Sequence, residues 1–298
     1  MSLRASITRY VVHGAMRGRW LLLGLRRRSR AIFARRDSAD SGTRGDRLVV
    51  LVHSFDGYQR FWPPVMHFAG AALPEDLVIY FASEHQGQPN VRARNLLTGS
   101  GGFVERLERA VGELSTAHEY VLYLQEDMWL TEPVSAEMLD EFLQVMDEHQ
   151  LDCLKLGWGS FWPDDRQKID ATTDPLPGAA GDRYRWFGSN PYAVSHHCSI
   201  FRVSFLLDTA RLIRPFGVTS PIRHELSASA AISRQVKARN ADRRPVRIAV
   251  WKTEPPIAYV HASEMGRLTE AARELLDARQ LAHLYDEDRP GEVFPSER

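Results

Sequence analysis

Apolar positions along the chain follow two periods. Continuous apolar runs occur at Arg47 to His53 (R-L-V-V-L-V-H), Leu77 to Ala82 (L-V-I-Y-F-A) and Tyr120 to Leu124 (Y-V-L-Y-L); they read as strands covered on both faces. Leu151 to Gly157 and Val246 to Trp251 give two weaker runs. Between these the spacing becomes helical. Phe103, Leu107, Ala110, Val111 and Leu114 follow G-S-G-G, and Ser135 stands as an N-cap before Leu139, Phe142, Leu143 and Met146. Ser220-Pro221 reads as the N-cap and first residue of a helix reaching about Lys237. Strands alternating with helices predict an α/β fold, a mostly parallel central sheet with helices on both faces. Ligands of such sheets bind beyond the carboxyl ends of the strands. The body is expected to span residues 47–268, followed by a C-terminal helix and tail over 269–298. Residues 163–192 show neither period, and a loop of that length inside a compact domain is often functional.

Charge divides the chain. Residues 1–36 contain ten Arg and no Lys, Asp or Glu; subtracting these from 38 basic residues leaves 28 against 38 acidic ones, a body of about −10. On a helical wheel Leu3, Ile7, Tyr10, Val11, Leu21, Leu22, Leu25, Ile32 and Phe33 fall on one side, with most of the arginines opposite. This predicts an N-terminal basic amphipathic helix lying on an anionic membrane surface. A basic tail or an Arg-rich transit peptide shares the same composition. The apolar run Trp20 to Leu25 stops at Arg26, well short of the roughly 18 to 20 residues that span a bilayer. A soluble, cytoplasmic and peripherally membrane-associated protein is therefore expected, with residues 37–46 (D-S-A-D-S-G-T-R-G-D) as the linker. Cys153 and Cys198 are the only cysteines, which argues against a disulfide framework. An acidic body without an aromatic-interleaved basic patch argues against a nucleic-acid partner.

The run Y-V-L-Y-L-Q-E-D-M-W-L ends in adjacent carboxylates, Glu126 and Asp127. Side chains alternate along a strand, so both face one way only if the chain bends there. A carboxylate beside Met128, Trp129 and Leu130 is costly to desolvate without a cation. Mg²⁺ or Mn²⁺ shared with substrate phosphates is one such cation; an Arg partner, or a cap on the next turn, is the alternative.

Together with the upstream G-G-F-V-E-R-L-E-R-A-V, this fragment resembles the core of nucleotide-sugar glycosyltransferases of the GT-A fold, in particular bacterial surface-polysaccharide enzymes. Those place a short acidic motif, often D-x-D, after a buried strand, and a Gly-rich loop with a basic residue upstream. Here the motif is Q-E-D, so Asp127 corresponds to the final acid and Glu126 to a position the motif fixes less. S-F-D-G-Y-Q-R-F-W-P-P resembles the nucleotide-contacting loop, with Ser54 and Asp56 as contacts. H-H-C-S-I-F-R-V-S-F-L-L resembles the acceptor-side segment. S-P-I-R-H-E-L places Glu225 as a candidate general base, and A-Y-V-H-A-S-E-M-G-R-L places His261 as a further metal ligand. The resemblance covers about residues 47–268.

It implies transfer of a sugar from a nucleotide-sugar donor to a saccharide or lipid-linked acceptor. Mg²⁺ or Mn²⁺ would sit on Asp127 and His261. The amides of Ser100 to Gly102 and the charge of Arg106 would meet the diphosphate, as helix N-termini meet anions. Each residue also has a plainer explanation. Arg106 fits a solvated helix face, a carboxylate in the first turns of a helix is favoured by the dipole, and a lone His at a strand end is commonly hydrogen-bonded structure. His196 and His197 should diverge on a strand, which favours structural or acceptor-lining roles. Trp158, Trp162, Trp186 and Phe187 suit stacking on sugar rings or packing under a loop. Two rival functions share the fold: a nucleotidyltransferase with a second acidic site from Asp164, Asp165 or Glu254, and a non-catalytic, membrane-attached binding module.

Overall fold

The computed structural model describes residues 43–156, 174–187, 194–221, 223–225, 227–230, 246–252, 256–264 and 266–286. The amphipathic segment 1–36, Trp158, Trp162, Asp164, Asp165 and Glu254 lie outside them. The strands are β1 (Leu48–His53), β2 (Ile79–Ser83), β3 (Ala93–Leu97), β4 (Tyr120–Gln125), β5 (Met128–Leu130), β6 (Cys153–Lys155), β7 (Tyr184–Trp186), β8 (Ser199–Arg202), β9 (Ile248–Trp251) and β10 (Tyr259–His261). The helices are α1 (Trp62–Ala72), α2 (Phe103–Leu114), α3 (Ala136–Glu148), α4 (Val203–Ile213) and α5 (Glu270–Ala278). Eight strands form one sheet in the order β3-β2-β1-β4-β8-β6-β9-β7. The pairs β3–β2, β2–β1, β1–β4 and β6–β9 are parallel, whereas β8 runs antiparallel to both β4 and β6.

The continuous apolar runs follow from burial on both faces. Leu48, Val50 and Val52 of β1, with Tyr120, Leu122 and Leu124 of β4, point into a core shared with α1, α3 and α5. Val49 and Leu51, with Val121 and Tyr123, point into a second core under α2 and α4. Each large apolar side chain so buried contributes about 1.5–3 kcal/mol, so neither face tolerates a polar substitution. The expected strands at Leu151 to Gly157 and Val246 to Trp251 form as β6 and β9, and Ser135 caps α3 by accepting the Met138 N–H at 3.1 Å.

Four elements differ from the pattern in the sequence. β3 is an edge strand whose residues are mostly half-buried or exposed, so it leaves no apolar run. β7 forms inside the aperiodic segment 163–192 and pairs antiparallel with β9. β8 inserts antiparallel between β4 and β6, a reversal that no periodicity encodes. The end of the expected linker is structured: Arg44–Arg47 forms one helical turn, capped by Thr43 Oγ1 donating to Asp46 at 2.7 Å. Arg44 ties this turn to Asp76 at 2.8 Å and Asp140 at 3.0 Å, so the folded body begins by Thr43. The helix opening at Ser220-Pro221 is present as far as it is described, to residue 230; its continuation to Lys237 lies outside the described residues. Among the described residues no helix is long and apolar enough to cross a membrane.

Just beyond β4 the chain turns at Glu126 and Asp127 and enters β5, which pairs antiparallel with β10 outside the main sheet. Trp129 pins this turn. Its ring is fully buried, stacks on Phe68 at 5.5 Å between centroids, and donates Nε1–H to the Glu126 carbonyl at 3.1 Å. Replacing Trp129 by Phe removes that hydrogen bond and leaves a small void. The expected loss is about 1–3 kcal/mol, read as a lower urea midpoint with an unchanged slope.

Candidate functional site

The carboxyl ends of β1, β2 and β4 open on one side of the sheet. Because β8 is antiparallel, its entering loop, residues 194–198, arrives at that same side, and the end of β6 pairs with it there. β10 closes the edge, with His261 opposite Met128. Residues from distant stretches of sequence thus converge where an open α/β sheet holds its ligands.

The acid pair occupies the turn between β4 and β5. Glu126 is 7% exposed, and the Asp127 side chain is 20% exposed. The Asp127 carbonyl accepts the Ala262 N–H at 2.7 Å, and its Oδ2 lies 4.0 Å from His261 Nδ1. Asp127 Oδ1 is buried and accepts no hydrogen bond among the described residues. Burial pushes both carboxyls upward from their usual range, and the charge of Asp127 adds to the shift on Glu126; the Ser54 hydroxyl and the more distant Arg106 oppose it there. Burial pushes His261 downward, so its imidazole is neutral at pH 7, the form that ligates metals. Asp127 and His261 are therefore brought together by the fold. Among the described residues no cluster of three His, Cys, Asp or Glu side chains has metal-binding geometry.

The residues expected on the donor side surround the same opening. Ser54 Oγ accepts Trp62 Nε1–H at 2.8 Å and faces Glu126. Asp56 is a brace: its carboxylate accepts the Glu84 and His85 amides at 3.1 Å, while its own N–H donates to Glu84 at 3.3 Å. Ser100 Oγ lies 2.9 Å from His85 Nε2. Arg106 does not lie on a solvated helix face. It is 6% exposed, paired with Glu84 at 2.9 Å, donates to the Gly101 carbonyl at 2.6 Å and stacks over Phe55. The expectation for Gly102 is also corrected, because its N–H donates to Glu105 Oε2 at 2.9 Å and caps α2 rather than standing open to an anion. The preceding Gly101 sits at φ 149°, a conformation that side-chain-bearing residues rarely adopt.

Glu225 lies in the first turns of the helix that opens at Ser220 and accepts the His196 backbone N–H. Burial pushes its carboxyl upward, opposed by that hydrogen bond and by the Lys155 ammonium. The adjacent histidines diverge as expected. His196 enters the core, with Nε2 2.9 Å from His224 Nδ1, and packs on Phe103. His197 turns toward His261, rings perpendicular at 5.5 Å. His53 joins the buried group through Tyr123 at 2.9 Å. Burial drives His53, His196, His197 and His224 downward, so all four are neutral at pH 7. Of the candidate stacking rings, Trp186 lies in β7 and Phe187 is buried beneath the Lys155 ammonium. Lys155 was missed by pattern; its signal was the single charge within the otherwise apolar C-L-K-L of β6.

No protein-family model matches the chain, and no curated protein matches it. Among solved structures it is similar to S. aureus TarS 1–349 in complex with UDP-GlcNAc, at 16% identity and a TM-score of 0.41, over 80% of this chain and 66% of that one. The chain thus spans slightly under two thirds of that structure's length.

Proposed function

We propose that the protein is a glycosyltransferase that moves a sugar from a nucleotide-sugar donor to a saccharide or lipid-linked acceptor in surface-polysaccharide synthesis. The observation that carries this is the meeting of Asp127 and His261 at the open end of the sheet, 4.0 Å apart. Their chemistry fits a divalent cation, since Asp127 Oδ1 is a buried acceptor without a partner among the described residues and His261 is a neutral imidazole. Mg²⁺ and Mn²⁺ take one or two protein ligands together with phosphate oxygens. When bound, such an ion neutralises charge developing on the leaving nucleoside diphosphate.

The chain's own residues supply the rest. Glu126, Ser54, Asp56 and Ser100 form the donor wall, and the Arg106–Glu84 ion pair braces it. Glu225 takes the proton of the acceptor hydroxyl as its oxygen attacks the anomeric carbon. The bond from that carbon to the diphosphate oxygen breaks, and the electron pair leaves with the diphosphate. One displacement gives inversion. The test is nucleotide release from UDP-, GDP- and TDP-linked sugars with Mn²⁺, with and without oligosaccharide or lipid-linked acceptors. Acceptor-stimulated release from one donor class is expected; absence of release and of binding across the panel rejects the proposal.

The Arg-rich segment would hold the enzyme at the cytoplasmic face of a membrane, each Arg on anionic lipid contributing about 1 kcal/mol. Deleting residues 2–36 is expected to release the protein from phosphatidylglycerol vesicles at moderate salt, measured by sedimentation. Unchanged co-sedimentation contradicts membrane attachment through that segment.

A further inference from the structure

The 3-10 turn Asp56–Phe61 after β1 faces two ways. At one end Asp56 holds the Glu84 and His85 amides on the donor side. At the other it meets the hairpin that follows β10, in which β11 (Ser263–Glu264) pairs with β12 (Arg267–Leu268). Half-buried Arg60 donates from Nη2 to the carbonyl of Gly266 in the hairpin turn. Gly266 is buried at φ 78°, and the Tyr58 hydroxyl and Arg60 Nη2 lie 3.5 and 3.8 Å from where its Cβ would stand. The root of the same hairpin holds both candidate cation ligands. Ala262 N–H donates to the Asp127 carbonyl at 2.7 Å, and Thr269 closes the root with its N–H on the Ala262 carbonyl at 3.0 Å and its Oγ1 on the His261 carbonyl at 2.7 Å. The hairpin is thus a strap with its tip on the turn after β1 and its root on Asp127 and His261.

We propose that Arg60 is a positioning residue for the cation site: by latching the hairpin tip it steadies the root that sets Asp127 beside His261. A hairpin with two residues in each strand is marginal by itself, so an anchor at the tip decides how firmly the root is held. A guanidinium on a carbonyl is a charge-assisted hydrogen bond suited to that task. Arg60 acts through the backbone of the strap and touches neither cation nor substrate. The inference rests on Asp127 and His261 holding the cation.

The test separates the latch from the cation site. Free Mn²⁺ is measured by electron paramagnetic resonance during titration of the full chain, with Mn²⁺ alone and with UDP, GDP or TDP added, and exchange of the Ala262 and Thr269 amides is followed by NMR. Arg60→Met is expected to weaken Mn²⁺ binding by about tenfold or more, the scale of losing a group that orients metal ligands, and to speed exchange at both amides. Arg60→Lys keeps a donor for the Gly266 carbonyl and should recover most of both. Gly266→Ala strains the turn at its positive φ while leaving Arg60 in place, so it too should weaken Mn²⁺ binding; this variant serves if Arg60→Met fails to fold. A parent that binds Mn²⁺ with an affinity unchanged in these variants overturns the proposal and leaves the cation site standing, even where exchange is faster. A parent that binds no Mn²⁺ under any of these conditions removes the cation site itself, and the role of Arg60 with it.

Discussion

Glu225→Gln is expected to lower turnover by about 10²–10⁴-fold, the usual contribution of a positioned general base, while the donor binds as before. Gln is isosteric and retains an oxygen for the His196 N–H, so the wall of the site and its helix should persist. What is lost is proton affinity at one atom. Turnover and KM for the acceptor, together with calorimetric affinity for the donor, separate these effects: a fall in kcat at constant donor affinity marks an interaction made only in the transition state. A variant as active as the parent removes the base assignment. Loss of donor affinity alongside turnover would instead mean that Glu225 shapes the donor pocket.

Asp127→Asn is expected to lower turnover by about 10²–10³-fold, the scale of losing one group that stabilises developing charge. Its effect on stability should have the opposite sign. Glu126 and Asp127 are both pushed above the usual carboxylate range by burial. At pH values between the unfolded carboxylate pKa, about 4, and their raised folded values, the folded state holds more protons than the unfolded one. Stability therefore falls as pH rises through that window, and the loss persists above it. Removing the Asp127 charge relieves its own desolvation and the repulsion on Glu126. The variant should melt higher than the parent at pH 8, and the difference should vanish below about pH 4. Melting temperature against pH decides it. A variant that melts lower at pH 8 would mean that the ionised Asp127 is held by a structural partner and is not poised for a cation.

Much of the fold was legible where burial on both faces wrote it into the residues. β1 and β4 each send alternate residues into separate cores, so no polar position interrupts their runs. The apolar face of α2 and the Ser135 cap of α3 are equally local signals. β3 could not be read, because an edge strand with exposed Arg94, Asn95 and Leu97 has no apolar face to declare it. The antiparallel direction of β8 was also hidden, since alternation has no sense of direction; yet this reversal brings His196, His197 and Ser195 to the site. The meeting of Asp127 with His261 depends on β5 pairing with β10, a long-range register that the residues alone do not fix. It was anticipated through the order of the motifs and not through any period. Arg106 was expected to meet the donor phosphates or to lie on a solvated helix face; its burial against Glu84 depends on the β2 end loop, which no local pattern shows. Gly102 was misassigned because an N-cap amide open to an anion and one closed by the Glu105 side chain have the same sequence.

The most direct measurement is the melting temperature of the full chain and of Asp127→Asn at neutral pH, with UDP-, GDP- and TDP-linked sugars, each with and without Mn²⁺. Binding to the folded state raises the melting temperature by mass action, about 2.7 kcal/mol at a ligand concentration one hundred times Kd. The parent should shift with one donor class when Mn²⁺ is present, and Asp127→Asn should shift little or not at all. No shift of the parent with any donor, or an equal shift in both proteins, would contradict a donor diphosphate site built on the acid pair at the end of β4.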